Sequence, residues 1–431
     1  NLSDLFYQGK VLRNVSVGSF IEIKKGFMSL IGKVESERLI EEKNQRLKAE
    51  IIKHLYYKMV LSLTDLSKLT NRSLPLVTTI VNSLIAEGYV LEQGLAPSTG
   101  GRRPLMYLIN PDLKKYIVAI AMDQLVTRLT IYDLSRKMRI PIQTLTFDMT
   151  REDSDVHILI DFVHQVLQES GIQKEYILGV GIGMPGLINA EKGINHSYLK
   201  VRNQSLKKYI SSHINLPVFI DNDSSLIALA ELNFGEAIDM KDVMVVNIGW
   251  GTGLGMIMNG ELYRGSGGYA GEFSHIPLSN SNNLCSCGRR GCLEVDTSLL
   301  VMANKAEKAI AEGAESSLQQ LLKDKSRHPS DHFLEAVGQQ DPVAVSILAQ
   351  ASFQLGKGIA TLIHILNPEC IVLSGRGAKA GRMLLPPIQQ AINEYCIPRT
   401  AEQTTIKLST LTDEAELLAA ASLMVENSQF E

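Results

Sequence analysis

Gly267-Gly268-Tyr269-Ala270-Gly271-Glu272-Phe273-Ser274-His275 is followed, ten residues on, by Cys285-Ser286-Cys287-Gly288-Arg289-Arg290-Gly291-Cys292-Leu293-Glu294. Three of the five cysteines fall within eight residues, with a histidine upstream across a Pro- and Asn-containing loop. Thiolate and imidazole are the ligands Zn²⁺ prefers, and a Cys₃His set closes a tetrahedral structural site. The glycines between Cys287 and Cys292 let the backbone curl so that three sulfurs converge. His275, Cys285, Cys287 and Cys292 are therefore the candidate metal ligands and Zn²⁺ the expected cofactor. Reduced thiols scattered in a loop are the plainer alternative, but they account for neither the clustering nor the histidine. Cys370 and Cys396 stand singly, a pattern that suits a reducing cytoplasm better than a disulfide framework.

The same two segments resemble the signature of the ROK family, which groups bacterial sugar kinases with sugar-responsive transcriptional repressors. The likeness fixes about ten positions over twenty-eight residues and continues from roughly residue 44 to the C-terminus.

The chain has 431 residues, 45% hydrophobic and 21% charged, which describes a soluble globular protein of two or three domains. No apolar run reaches the length of a membrane span, and no basic-then-apolar signal segment opens the sequence. The expected location is cytoplasmic. Charge is unevenly spread. Lys and Arg number eight against four acids over 44–110, seven against six over 1–43, and 28 against 36 over 111–431. A small basic module on a large acidic body implies that only the module meets a polyanion.

Residues 1–43 lie outside the resemblance. Alternation in Phe20-Ile21-Glu22-Ile23, with Lys24-Lys25-Gly26 as a turn, suggests a β-hairpin and a short β-rich extension. Such an extension could serve as a partner-docking element. Residues 44–110 read as a winged helix-turn-helix. Leu47, Ile51, Ile52, Leu55 and Tyr56 share one helical face. Ser62 is an N-cap with Asp65 in the first turn. Thr70-Asn71-Arg72 makes the turn, and Ser73 caps the next helix with Pro75 in its first turn. In that helix Val77, Ile80, Val81, Leu84 and Ile85 point inward, while Leu74, Leu76, Thr78, Thr79 and Asn82 point outward. Ser98-Thr99-Gly100-Gly101-Arg102-Arg103-Pro104 then lies between two presumed wing strands. It is read as a phosphate or minor-groove contact, with an interdomain linker as the alternative. The order of these elements closely resembles the repressor branch of the ROK family. The outward face of the recognition helix carries no Lys or Arg after Ser73. DNA contact is therefore expected from Lys68, Arg72, Ser73, Thr78, Thr79, Asn82, Arg102 and Arg103.

Residues 111–431 alternate strand and helix patterns, an α/β body. Tyr116–Ala121, Arg128–Asp133, Ile177–Gly183, Val243–Ile248 and Cys370–Leu373 read as strands. The resemblance implies two lobes of the actin-like ATPase type with a cleft between them. It also assigns the cleft's residues. In the family's kinases an Asn-Asp pair after a strand binds the sugar, and its Asp acts as general base. Asn222 and Asp223 match that pair, and Glu272, His275 and Glu294 match the remaining sugar contacts. One ring nitrogen of His275 would then serve zinc and the other a sugar hydroxyl.

Phosphoryl transfer further requires a glycine cradle for phosphates. The kinases place Asp-x-Gly-Gly-Thr in the first β-turn of the body. Here the segment is Ala121-Met122-Asp123-Gln124-Leu125-Val126-Thr127-Arg128, and neither register restores a glycine pair. The turns Gly249-Trp250-Gly251-Thr252-Gly253-Leu254-Gly255 and Ser374-Gly375-Arg376-Gly377 survive, but a lone glycine-rich loop is weak evidence for nucleotide binding. The expected protein is a non-enzymatic, sugar-responsive regulator, a repressor of carbohydrate genes. Its partners are an operator duplex, a sugar or sugar phosphate, and further copies of itself as dimer or tetramer. A ROK sugar kinase with a DNA-binding appendage, Asp223 as its base, is the alternative.

Overall fold

Glu35 to Lys58 contains neither glycine nor proline, and in the computed structural model it belongs to one helix, α1 (Val17–Lys58). The structure describes residues 17–95, 103–151, 154–324, 327–411 and 414–430. The chain divides into two compact units, residues 1–110 with 429–431, and residues 111–428.

Helix α1 corrects the hairpin expected over Val17–Val34. Alternation over four residues is too short to fix a strand, and the Glu-, Lys- and Arg-rich run that follows favours a continuing helix. Further along α1, Leu47, Ile51, Ile52, Leu55 and Tyr56 are all buried, as their spacing implies. A short strand β1 (Val60–Ser62) leads into α2 (Leu63–Leu69). Ser62 and Asp65 form a reciprocal capping box: Ser62 Oγ accepts from Asp65 N–H at 3.1 Å, and Ser62 N–H donates to Asp65 Oδ2 at 3.1 Å. Thr70 closes α2 and Asn71 turns with φ of 51°. Helix α3 (Leu74–Ala86) buries Val77, Ile80, Val81 and Leu84, with Ile85 half-buried. Ser73 is its N-cap by backbone, but its hydroxyl makes no capping hydrogen bond. Strands β2 (Val90–Leu95) and β3 (Leu105–Ile109) complete an antiparallel sheet in the order β1-β3-β2. Most of the expected wing tip lies outside the described residues. Gln429 and Phe430 join this unit from the other end of the chain. Gln45 Nε2 donates to the Gln429 carbonyl at 2.9 Å, and the Phe430 ring is buried.

The second unit holds two lobes of one topology. The first has β4 (Tyr116–Met122), β5 (Val126–Asp133), β6 (Gln143–Thr146), β7 (Ile177–Met184) and, past a small β8–β9 ribbon (Ile188–Asn189, Ile194–Asn195), β10 (Val218–Asn222). Its order is β10-β7-β4-β5-β6. The second has β11 (Val243–Ile248), β12 (Thr252–Met258), β13 (Glu261–Leu262), β14 (Cys370–Ser374) and β15 (Thr405–Leu408), ordered β13-β12-β11-β14-β15. In each sheet the first strand is central. The next two follow it antiparallel on one side, and the last two lie parallel on the other. Each sheet carries its own apolar core, around Val118, Ile120, Leu129 and Val180 in one lobe and Val246, Leu254, Leu355 and Ile371 in the other. Helix Pro342–Leu366 is, among the described residues, the one helix long and apolar enough to cross a membrane. Leu348, Leu355, Ile359 and Ile363 along it belong to the second core.

Candidate functional site

Between the lobes lies a cleft of about 550 Å³, and Asn222, Asp223, Glu272, His275 and Glu294 all line it. Helix Asp223–Phe234 starts where β10 ends, so Asn222 is its N-cap. Asn222 Oδ1 accepts from the N–H groups of Ser224 and Ser225 at 2.9 and 3.2 Å, and Nδ2 donates to the Gly186 carbonyl at 3.2 Å. Capping thus takes the Asn222 carbonyl and leaves one amide hydrogen for a ligand. Burial pushes Asp223 up to about 6, although the Ser224 N–H at 2.7 Å pulls the other way. Burial likewise raises Glu272, opposed by the nearby His275 imidazole. Glu294 opens a short helix, Glu294–Thr297, and its Oε2 lies 3.5 Å from the Thr252 N–H.

His275 faces two ways. Its Nδ1 lies 3.6 Å from Cys285 Sγ and its Nε2 lies 3.6 Å from Glu272 Oε2. The ligand atoms of His275, Cys285, Cys287 and Cys292 all fall within 4.8 Å of one another, and Cys287 Sγ is 3.7 Å from Cys292 Sγ. Tetrahedral Zn²⁺ bonds of about 2.3 Å to sulfur and 2.0–2.1 Å to nitrogen imply ligand separations of about 3.8 Å for S–S and 3.6 Å for S–N. The donor set and its spacing therefore fit such an ion. The turn that gathers the thiols is closed by Cys285 N–H to the Arg289 carbonyl at 2.8 Å. Gly288 and Gly291 stand at φ of 80° and 76°, which other residues rarely adopt.

The β4–β5 turn has a different device from a glycine cradle. Asp123 Oδ1 accepts the N–H groups of Leu125 and Val126 at 2.9 and 2.7 Å. Its Oδ2 accepts from Arg376 at 3.1 Å across the cleft. Arg376 also reaches Asp331 at 3.4 Å and lies 5.4 Å from the centre of the Trp250 ring. Gly255 serves packing: a Cβ there would stand 2.3 Å from Ala228 Cβ, so helix Asp223–Phe234 rests against β12.

Further residues in or beside the cleft complete its surroundings. Tyr198 lines the cleft, with its phenol raised by burial and then by Glu294 and Asp223. Tyr269 Oη contacts His196 Nε2 at 2.9 Å, joining the second lobe's loop to the first lobe. Arg264 donates from Nε to the buried Asp221 at 3.1 Å. The glycine-rich segment around Tyr269 was a signal for that residue; nothing local marked the others.

In the first unit Lys68, Arg72, Ser73, Thr79, Asn82 and Arg103 are exposed and Thr78 half-buried. Arg102 lies outside the described residues. The hydroxyls of Thr78 and Thr79 donate to the Leu74 and Pro75 carbonyls at 2.8 and 3.0 Å. In this arrangement each hydroxyl oxygen still has a lone pair to offer a ligand.

Residues 119–427 match the ROK family. The chain belongs to the ROK family. Among ROK relatives, the xylose repressor of Caldicellulosiruptor bescii is 28% identical over 388 residues, 88% of this chain and 94% of that one. A glucokinase of Halalkalibacterium halodurans is 33% identical over 257 residues, 58% of this chain and 77% of that one. A solved ROK family transcriptional regulator, a homologue of the E. coli MLC protein, superposes with a TM-score of 0.72 at 25% identity. It covers 89% of this chain and 96% of its own.

Proposed function

We propose that the chain is a sugar-responsive, DNA-binding transcriptional repressor of carbohydrate genes, acting in the cytoplasm as a dimer or tetramer. The observation that carries this reading is a ROK body whose phosphate turn is closed by Asp123 rather than by glycines. The breadth of the repressor match supports it, since it spans 88% of the chain against 58% for the glucokinase. Residues 44–110 would form a winged helix-turn-helix, with α3 in the major groove and Arg102 and Arg103 on phosphate or in the minor groove. Lys68 and Arg72 add phosphate contacts, while Ser73, Thr78, Thr79 and Asn82 offer hydroxyl and amide groups to base edges.

In the cleft, the Asp223, Glu272 and Glu294 carboxylates would accept from vicinal sugar hydroxyls, and the free amide hydrogen of Asn222 would donate. His275, Cys285, Cys287 and Cys292 would hold Zn²⁺. Bound there, the ion acts as a structural crosslink, because four protein ligands leave no open position. It would fix the His275 ring so that Nε2 faces the sugar. A sugar that binds one lobe arrangement better shifts the population toward it and changes the spacing of paired DNA-binding units.

The test is selection of bound duplexes from genomic DNA, then mobility shift with and without free sugars. The expected result is retention of specific fragments that one sugar releases. The kinase alternative keeps Asp223 as a base, yet a base without a positioned phosphoryl donor has nothing to react with. Hexose-dependent ADP release well above background, lost in Asp223→Ala, would establish the kinase instead.

A further inference from the structure

We propose that α3 selects thymine by its C5-methyl group, through Leu74 and Leu76. The inference rests on the reading of residues 44–110 as a DNA-binding unit and names the base that its recognition helix seeks.

Helix α3 opens with Leu74-Pro75-Leu76, and all three side chains are exposed, the leucines by 46 and 39%. Leucines scattered singly on a surface are ordinary, but here a whole helical turn is apolar and open. The core does not need it, since α3 packs through Val77, Ile80, Val81 and Leu84. In a helix-turn-helix the start of the second helix enters the major groove and meets base edges. The surrounding charge favours a duplex as what covers this turn. Lys68 and Arg72 are exposed just ahead of it, and Lys and Arg outnumber acids eight to four over residues 44–110. An apolar protein partner would strip water from those cations, whereas a duplex pairs them with phosphates.

Base chemistry then narrows the choice. Guanine shows two acceptors in the major groove and calls for paired donors, as Arg or Lys supplies. Leu74 to Ala86 contains neither. The hydroxyls of Thr78 and Thr79, in this arrangement, donate to the Leu74 and Pro75 carbonyls at 2.8 and 3.0 Å. The apolar first turn matches one major-groove feature, the methyl of thymine. Asn82 is exposed and lies two turns on from Pro75, on the same face of the helix. Its amide carries the donor and acceptor that fit adenine. The leucines and the asparagine thus both call for A·T pairs.

The test begins with the full chain and a random-sequence duplex library, enriched by repeated binding. Each thymidine of the selected duplex is then replaced in turn by deoxyuridine, which removes the methyl and keeps pairing and charge. At two or more positions the binding should weaken about fourfold for each methyl removed. In the double variant Leu74→Ala with Leu76→Ala, thymidine and deoxyuridine duplexes should bind within about twofold of each other. Its affinity for random DNA should hold within about twofold, because phosphate contacts carry that binding. Both positions are exposed and alanine favours helix, so the variant should keep its ellipticity and thermal midpoint. Deoxyuridine tolerated at every position overturns this inference and leaves the DNA-binding reading standing. Methyl dependence that survives in the double variant overturns the role given to the leucines. If self-association is lost as well, in sedimentation, they serve a second copy of the chain instead. A library from which no duplex is retained overturns the DNA-binding reading, and this inference with it.

Discussion

The ligand atoms of three thiols and an imidazole lie within 4.8 Å of one another. Burial, and then the Cys287 and Cys285 sulfurs, push the Cys292 thiol up to about 12. Zn²⁺ must displace that proton, so metal affinity should rise with pH and loading should release protons. About one Zn²⁺ per chain is expected from elemental analysis of native-purified protein, and Cys287→Ser should lower it sharply. Asp223 makes a second residue-scale prediction. Its carboxyl, raised from 3.8 to about 6, is held more tightly protonated in the folded chain than in the unfolded one. Stability should therefore fall as pH rises from 4 to 6, by at most about 3 kcal/mol from this group. Asp223→Asn removes that titration. Its thermal midpoint should exceed wild type above pH 6 and approach it near pH 4; parallel profiles would refute the assignment. At this scale the sequence was informative where side-chain chemistry itself is the signal, as in the cysteine cluster. It was silent on Arg376, which meets Asp123 across 253 positions with no pattern joining them.

Elements were legible where capping and burial agree. Ser62, Asp65 and the inward face of α3 stand as their spacing implies. Ser62→Ala should cost about 1 kcal/mol of first-unit stability by opening the capping box, read by denaturant unfolding. Residues 17–43 misled because local alternation competes with helix propensity, and only the longer run decides between them. The wing carries its own test. Replacing Arg102 and Arg103 together by Ala should weaken DNA binding and flatten its salt slope by about 0.9 per lost phosphate contact. Unchanged affinity in a salt titration would remove the wing from the interface.

Across the whole molecule, the two lobes repeat one strand order, which sequence alone did not disclose because the repeat lies in connectivity rather than in residues. The placement of the last residues was equally invisible. Gln429 and Phe430 belong with residues 1–110, and Phe430 is only 5% exposed. Phe430→Ala should destabilise the first unit by about 3 kcal/mol, monitored by hydrogen exchange in α1 and α3. An equal loss across the body instead would show that the ring serves another part. A ribosome makes α1, α2 and α3 before the second unit, yet the seat beneath Gln45 and Tyr89 stays unfilled until residues 429 and 430 have emerged. The first unit is thus completed only after the second has been made, and a chain terminated before residue 429 carries a loosened first unit.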